Sequence, residues 1–126
     1  MLNNEAAAAA LSVLAASNAR TSSAGGSWID VTAIEGDILV IMSVGTVSGT
    51  TPTLDLKIRD ATTSGGSGAA DISGAVFTQV TVSNSLQKIV IRAGSVRGFI
   101  SADWTIAGTT PSFNFSVVAA GRSKIV

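Results

Sequence analysis

From Trp28 onward, apolar and polar residues alternate with a period of two. Leu54, Leu56 and Ile58 alternate with Asp55, Lys57 and Arg59, and Phe113, Phe115 and Val117 alternate with Asn114 and Ser116. The same rhythm runs through Ile29–Ala33, through Lys88–Arg92 with Val90 interrupting the polar side, and through Ile100–Ile106. Each such run predicts a strand with one buried and one wet face. Val76–Val82 reads as a further strand. Ile38–Met42 is apolar on both faces, which predicts a central strand or one whose outer face is covered, by the N-terminal segment or by a second subunit. Turn-forming residues punctuate these runs at Glu35–Asp37, Asp60–Gly74 and Ala93–Ser95, the middle one being long and Gly-rich. The pattern predicts an all-β chain: an antiparallel, jelly-roll-like β-sandwich of about seven to eight strands.

The beginning of the chain differs. Glu5–Ala16 is rich in Ala and Leu, and Leu2, Ala6, Ala9, Ala10, Val13 and Leu14 fall on one helical stripe. Asn3 or Asn4 would cap such a helix, with Glu5 near its positive end. An extended Ala-rich arm threading between subunits fits the same residues, so helix and arm both stand at this point. Ser17–Ser27 is Ser- and Gly-rich and reads as a linker. The expected division is an arm and linker over residues 1–27 and a sandwich domain over residues 28–126. Removing Met1–Ala16 is then expected to leave the domain folded.

Thr46–Ile58 reads TVSGTTPTLDLKI and Thr105–Val117 reads TIAGTTPSFNFSV, 59 residues later. Thr46, Gly49, Thr50, Thr51 and Pro52 recur as Thr105, Gly108, Thr109, Thr110 and Pro111, and these prolines are the only two in the chain. Glycine permits a positive φ, proline fixes φ and withholds a donor, and the residue before proline is pushed toward extended geometry. The motif therefore predicts two hairpins with Gly-Thr-Thr-Pro tips. One would join Ile38–Val44 to Leu54–Arg59 and the other Gly98–Ile106 to Phe113–Val118, in related positions of a pseudo-symmetric sandwich.

Composition narrows the function. The chain has neither Cys nor His. Disulfides, thiolate sites and the commonest general base and metal ligand are excluded, and an enzyme is not expected. Asp60 and Asp71 flank the Gly-rich loop and Asp30, Glu35 and Asp37 surround a turn, but neither set has the spacing of a Ca²⁺ loop, and turn capping accounts for them. No cofactor is expected. Eight basic and eight acidic residues leave no net charge and no basic face, so a nucleic-acid partner is not expected. Gly65-Gly66-Ser67-Gly68 lacks the lysine of a phosphate loop, so no small-molecule substrate is expected. Ala6–Ala16 is too short to span a bilayer, and no membrane partner is expected. Low charge with a mean hydropathy of +0.48 predicts self-association into a homo-oligomer. Trp104 sits on an apolar strand face and is expected in the core; core packing is also the expectation for Trp28, with a sugar platform as its alternative.

The order of segments from about Val31 to Gly121 resembles small structural proteins of tailed bacteriophages and prophages. It is carried by the Glu35-Gly36-Asp37 turn, Gly49–Ile58, the Gly-rich loop, Phe77–Val80, Arg97 and Trp104–Phe113. The resemblance implies a capsid decoration (cement) protein, binding the major capsid protein on the virion surface and bridging capsomers, assembled in the host cytoplasm. Expected contact residues are Gly49, Thr50, Thr51, Pro52, Gly108, Thr109, Thr110 and Pro111 at the two tips, Gly65 and Gly66 in the loop, and Leu11 and Leu14 in the arm. A tail or neck subunit and a carbohydrate-binding module are the alternatives.

Overall fold

A computed structural model describes residues 9–123. It contains β1 (Ala9–Arg20), β2 (Ala24–Gly25), β3 (Ile29–Asp30), β4 (Ile34–Ala61), β5 (Ala70–Val76), β6 (Ser85–Arg92) and β7 (Phe99–Ser123), with a single 3₁₀ turn at Ala93–Ser95. All pairings are antiparallel.

The frame is a ribbon of β4 and β7, paired from Ile34↔Ser123 to Ala61↔Phe99. Straight, a strand of 28 residues would reach about 90 Å, against a diameter of about 35 Å expected for a domain of this size. The ribbon folds over at its middle. Trp104, on one side of the fold, touches Phe115, on the other, edge to face at 5.2 Å. Ile38, Val40, Met42 and Val44 share one core with Leu54, Leu56 and Ile58. No helix among the described residues covers these faces, so the two limbs bury each other, and the result is a β-sandwich. One sheet runs β6, residues 34–48 of β4, residues 112–123 of β7, and β1. The other runs β2 and β3, residues 99–107 of β7, residues 53–61 of β4, and β5.

The two sheets are related by a pseudo-twofold. Shifting partners by the 59-residue repeat carries Ile41↔Lys88 onto Ile29↔Ile100, and Leu54↔Ile106 onto Val47↔Phe113. It also carries the Asn18↔Phe115 pair onto Phe77 N–H donating to Leu56 O at 3.0 Å. Thr50↔Thr109 maps onto itself and marks the axis. β1 thus corresponds to β5, and β3 to β6.

This architecture corrects the expected hairpins. Ile38–Val44 pairs with β6 and with Phe115–Ala120, and Leu54–Arg59 pairs with Ser101–Ile106. Gly-Thr-Thr-Pro is not a hairpin tip: it lies where the β4–β7 ribbon folds over, and the segments before and after it enter different sheets. The same positive-φ chemistry that builds a tip also builds a bulge when a second copy lies alongside to accept the hydrogen bonds.

The N-terminal helix is corrected where it can be compared: Ala9–Arg20 is a strand on the edge of the first sheet. Residues 1–8, including Glu5 and the proposed caps, lie outside the described residues. Alanine's helix preference is a few tenths of a kcal/mol per residue, and burial of Leu14 and Ala15 in the core overrides it. The stretch read as arm and linker therefore contributes β1 and β2 to the sandwich. The Gly-rich loop is shorter than its composition indicated, because Ala70–Val76 is strand β5. Asp71 draws it onto β4, with its Oδ2 3.1 Å from Lys57 Nζ and its Oδ1 3.3 Å from Arg59 Nε. The expected strand Val76–Val82 is reduced beyond Val76 to a bridge, Leu54↔Val80. The strand at Ile29 stops at Asp30, whose Oδ1 accepts from Thr32 N–H (2.8 Å) and Thr32 Oγ1 (2.7 Å) and turns the chain.

Candidate functional site

The pseudo-twofold brings eight of the anticipated contact residues to one place. Gly49, Thr50 and Thr51 lie against Thr109, Thr110 and Pro111 where the ribbon folds. The approach is close: a Cβ on Gly49 would stand 2.7 Å from Thr110 O and 2.8 Å from Pro111 Cα, and one on Gly108 would stand 2.8 Å from Thr51 O and 2.9 Å from Pro52 Cα. Both glycines hold positive φ, +112° and +121°. Thr51 and Thr110 do so as well, at 47° and 45°. For a β-branched residue this backbone is strained. The strain is duplicated, as is the local bond that accompanies it: each threonine Oγ1 donates to the preceding carbonyl at 2.8 Å.

The surface there is neutral and rich in hydroxyls. Thr50, Thr51, Thr109 and Thr110 are exposed, while Pro52 and Pro111 are half-buried beneath them. No charged residue occurs from Ser43 to Leu54 or from Thr105 to Ala120. The fold end is therefore one platform bearing two copies of the motif, where two separate tips were expected. Strained backbone of this kind concentrates at functional positions, which makes the platform the leading candidate contact surface.

The other anticipated residues lie elsewhere. Gly65 is exposed in the loop beyond Ala61, at the opposite end of the second sheet. Gly66 is half-buried against the Trp28 indole, whose Nε1 would lie 2.5 Å from a Cβ at that position. The loop thus covers part of the surface a sugar platform would need. Leu11 is exposed on β1, but Leu14 is buried in the core and cannot meet a partner, which corrects that assignment.

Two clusters join side chains whose pairing has no signal in the sequence. Asp60 is buried where the loop leaves β4. It accepts from Arg97 N–H at 3.2 Å, Nε at 3.1 Å and Nη2 at 2.8 Å, while Arg97 Nη2 also donates to Gly68 O at 2.7 Å. One arginine therefore clamps the loop to the core. At the other cluster, the Arg20 guanidinium lies 4.9 Å from the Trp104 ring and 4.5 Å from the Phe115 ring. It donates to Ala16 O at 2.6 Å and Phe115 O at 2.8 Å, and burial lowers its pKa. Both clusters join residues distant in sequence, which local patterns do not reveal.

Four of the carboxylates considered for Ca²⁺ are engaged elsewhere, Asp30 by Thr32. Asp60 is held by Arg97, Asp71 by Lys57 and Arg59, and Glu35 lies 3.6 Å from Arg122 Nε. Among the described residues no group of three or more metal-ligating side chains occurs.

The fold defines a class: the chain is a β-sandwich domain, similar in architecture to part of a virus chain. It aligns over 89% of its length with a chain of infectious bursal disease virus, Gx strain, at a TM-score of 0.63 and 16% identity. It aligns over 89% with the VP2 subviral particle of the same virus, at a TM-score of 0.54 and 13% identity. In each case it spans 31% of the virus chain. The SPBc2 prophage-derived protein YomS aligns over 90% of this chain and 93% of its own, at a TM-score of 0.46 and 11% identity. No protein-family model matches the chain, and no curated protein matches it.

Proposed function

We propose that this chain is a non-catalytic structural protein of a tailed-phage particle. It decorates the outer shell, binds the major capsid protein and bridges neighbouring capsomers. The observation that carries this reading is the fold, whose sandwich is of the kind found in a virus that forms a VP2 subviral particle. The neutral hydroxyl platform supports it. A surface without charge binds through packing and short hydrogen bonds, and a weak contact of this kind becomes tight when repeated over a symmetric shell. The same platform makes shell binding insensitive to salt, even at about 1 M where the screening length is about 3 Å.

The test is to locate the protein on virions by cryo-electron microscopy of particles carrying a labelled full-length chain, and to add purified chain to shells lacking it. Label at repeated positions on the head, with saturable binding that weakens when Thr50, Thr51, Thr109 and Thr110 are replaced by alanine, supports the reading. Label confined to the tail or neck overturns the decoration role.

A further inference from the structure

The first sheet has an outer face that nothing in the chain's described residues covers. On β4 the even-numbered residues point inward, so Leu39, Ile41 and Ser43 point outward. The ladder extends this face in two rows. Val90, Leu39, Ala120 and Leu11 form one row, and Lys88, Ile41, Val118 and Val13 form the next. Leu86 continues the face beside Ser43. Leu11 is 79% exposed, Leu86 73%, Val90 60% and Val13 53%. Large apolar side chains are thus exposed at both margins of the sheet, with half-buried ones between them.

The apolar patch measures about 19 by 17 Å, on the order of 300 Å² in projection, given strands about 4.8 Å apart and about 3.4 Å per residue. That is the size at which an exposed apolar patch marks a binding surface. Lys88 is its one charge. It is exposed on the edge strand, where a lysine can lay its stem on apolar surface and keep its amine in water. Arg92, Asp37 and Ser116 add polar margins. With them the face is about 27 by 19 Å, on the order of 500 Å² in projection and more as accessible surface, approaching the roughly 800 Å² per partner of a standard interface.

We infer that this face stacks on the same face of a second copy of the chain. A second copy fits because its apolar stripe has the same dimensions and crosses the same four strands. Two such faces also meet as sheets do in a sandwich, about 10 Å apart with side chains interdigitating. The chain's formal net charge is zero, so long-range self-repulsion between copies is weak. The resulting contact has the apolar centre and polar rim of a stable isologous dimer. This inference does not use the virion reading, and its experiment contains no shells, so either can fail alone.

The experiment is sedimentation equilibrium of the full chain beside two variants, Leu86→Lys/Val90→Lys on β6 and Leu11→Lys/Val13→Lys on β1. Face stacking requires both variants to raise the dimer dissociation constant about 100-fold or more, because each buries unpaired charge, while circular dichroism shows a folded chain. A wild-type chain that stays monomeric up to millimolar concentration overturns the inference. If that monomer binds a hydrophobic dye, the face belongs to another partner. If it excludes the dye, the face is covered within the chain itself. Dimerisation abolished by only one folded variant also overturns it, since pairing through a single sheet edge gives that result. Where a double variant fails to fold, its two single substitutions, each at an exposed site, carry the same two outcomes.

Discussion

Replacing Gly49 by alanine tests the crossing on which the whole ribbon depends. A methyl group there meets three backbone atoms: Thr110 O at 2.7 Å, Pro111 Cα at 2.8 Å and Thr109 O at 3.0 Å. Backbone on the paired strand cannot swing aside as the end of a long side chain can. The φ of +112° adds a conformational cost of about 1–3 kcal/mol for any residue with a Cβ. Opening the crossing by several tenths of an ångström adds an overpacking cost of about 1–3 kcal/mol. The expected loss is about 3–4 kcal/mol, a large part of the 5–15 kcal/mol typical of a native domain. Gly74→Ala is the matched control, since φ is +80° but nothing lies within 4 Å of the new methyl. It isolates the conformational cost, about 1–3 kcal/mol. Gly94→Ala, with no positive φ and open space around it, should change stability by less than about 0.5 kcal/mol. The pseudo-twofold adds a stricter demand. Gly108→Ala should cost the same as Gly49→Ala to within about 0.5 kcal/mol, and the double variant should cost less than both together, because one opened crossing accommodates both methyls. Urea unfolding at fixed protein concentration, followed by circular dichroism, reads these values. A Gly49→Ala loss no larger than that of Gly74→Ala would refute the close approach. Unequal losses at Gly49 and Gly108 would refute the symmetry.

Other expectations follow from single contacts. Arg97→Ala leaves the buried Asp60 carboxylate without its clamp and should cost about 2 kcal/mol, discounted because the Arg97 side chain is 41% exposed, with faster proteolysis of the 62–69 loop as a second readout. Arg20→Ala removes a cation stacked on two rings and should cost about 1–2 kcal/mol, with Arg20→Lys recovering only part of it; thermal melts check this, at about 4 °C per kcal/mol for a chain of this size. Removing Met1–Ala16 should destabilise the domain by about 3 kcal/mol or more, the reverse of what an appended arm would do, since it strips Leu14 from the core and two-thirds of β1 from β7; a melting temperature within a few degrees of the intact chain would contradict β1. The Asp30 carboxyl is held below the ordinary carboxylate range by the Thr32 hydroxyl, aided by the Thr32 N–H. Its stabilising effect is therefore present above the ordinary value, about 3.9, and fades as pH falls through the lower folded value. Thr32→Val should move the Asp30 titration upward, as read by NMR.

Much of the fold is legible in local chemistry. Period-two alternation at Leu54–Arg59 and Phe113–Val117 marks strands because successive side chains point to opposite faces, and the observed burial follows that alternation. The two-sided apolar run at Ile38–Met42 marks a central strand, and it lies between β6 and β7. The doubled Gly-Thr-Thr-Pro marks a pseudo-symmetric pair. Of the anticipated contact residues, the eight in those motifs converge on one platform, whereas Leu14, expected on an arm that meets a partner, is buried in the core.

By itself, the sequence determined the class of the protein: an all-β chain without histidine or cysteine chemistry, strands in defined places, and two equivalent motifs 59 residues apart. Only the tertiary structure decided what those motifs do. A turn and a bulge share the same dihedral angles, and which of them forms depends on the strand that lies alongside, information held 59 residues away in the chain. The same applies to Ala9–Arg20, whose weak helix preference yields to a paired edge and a buried Leu14. Local patterns specify which residues need a covered face. Long-range pairing specifies what covers it, because hydrogen bonds and burial become available only when distant strands meet.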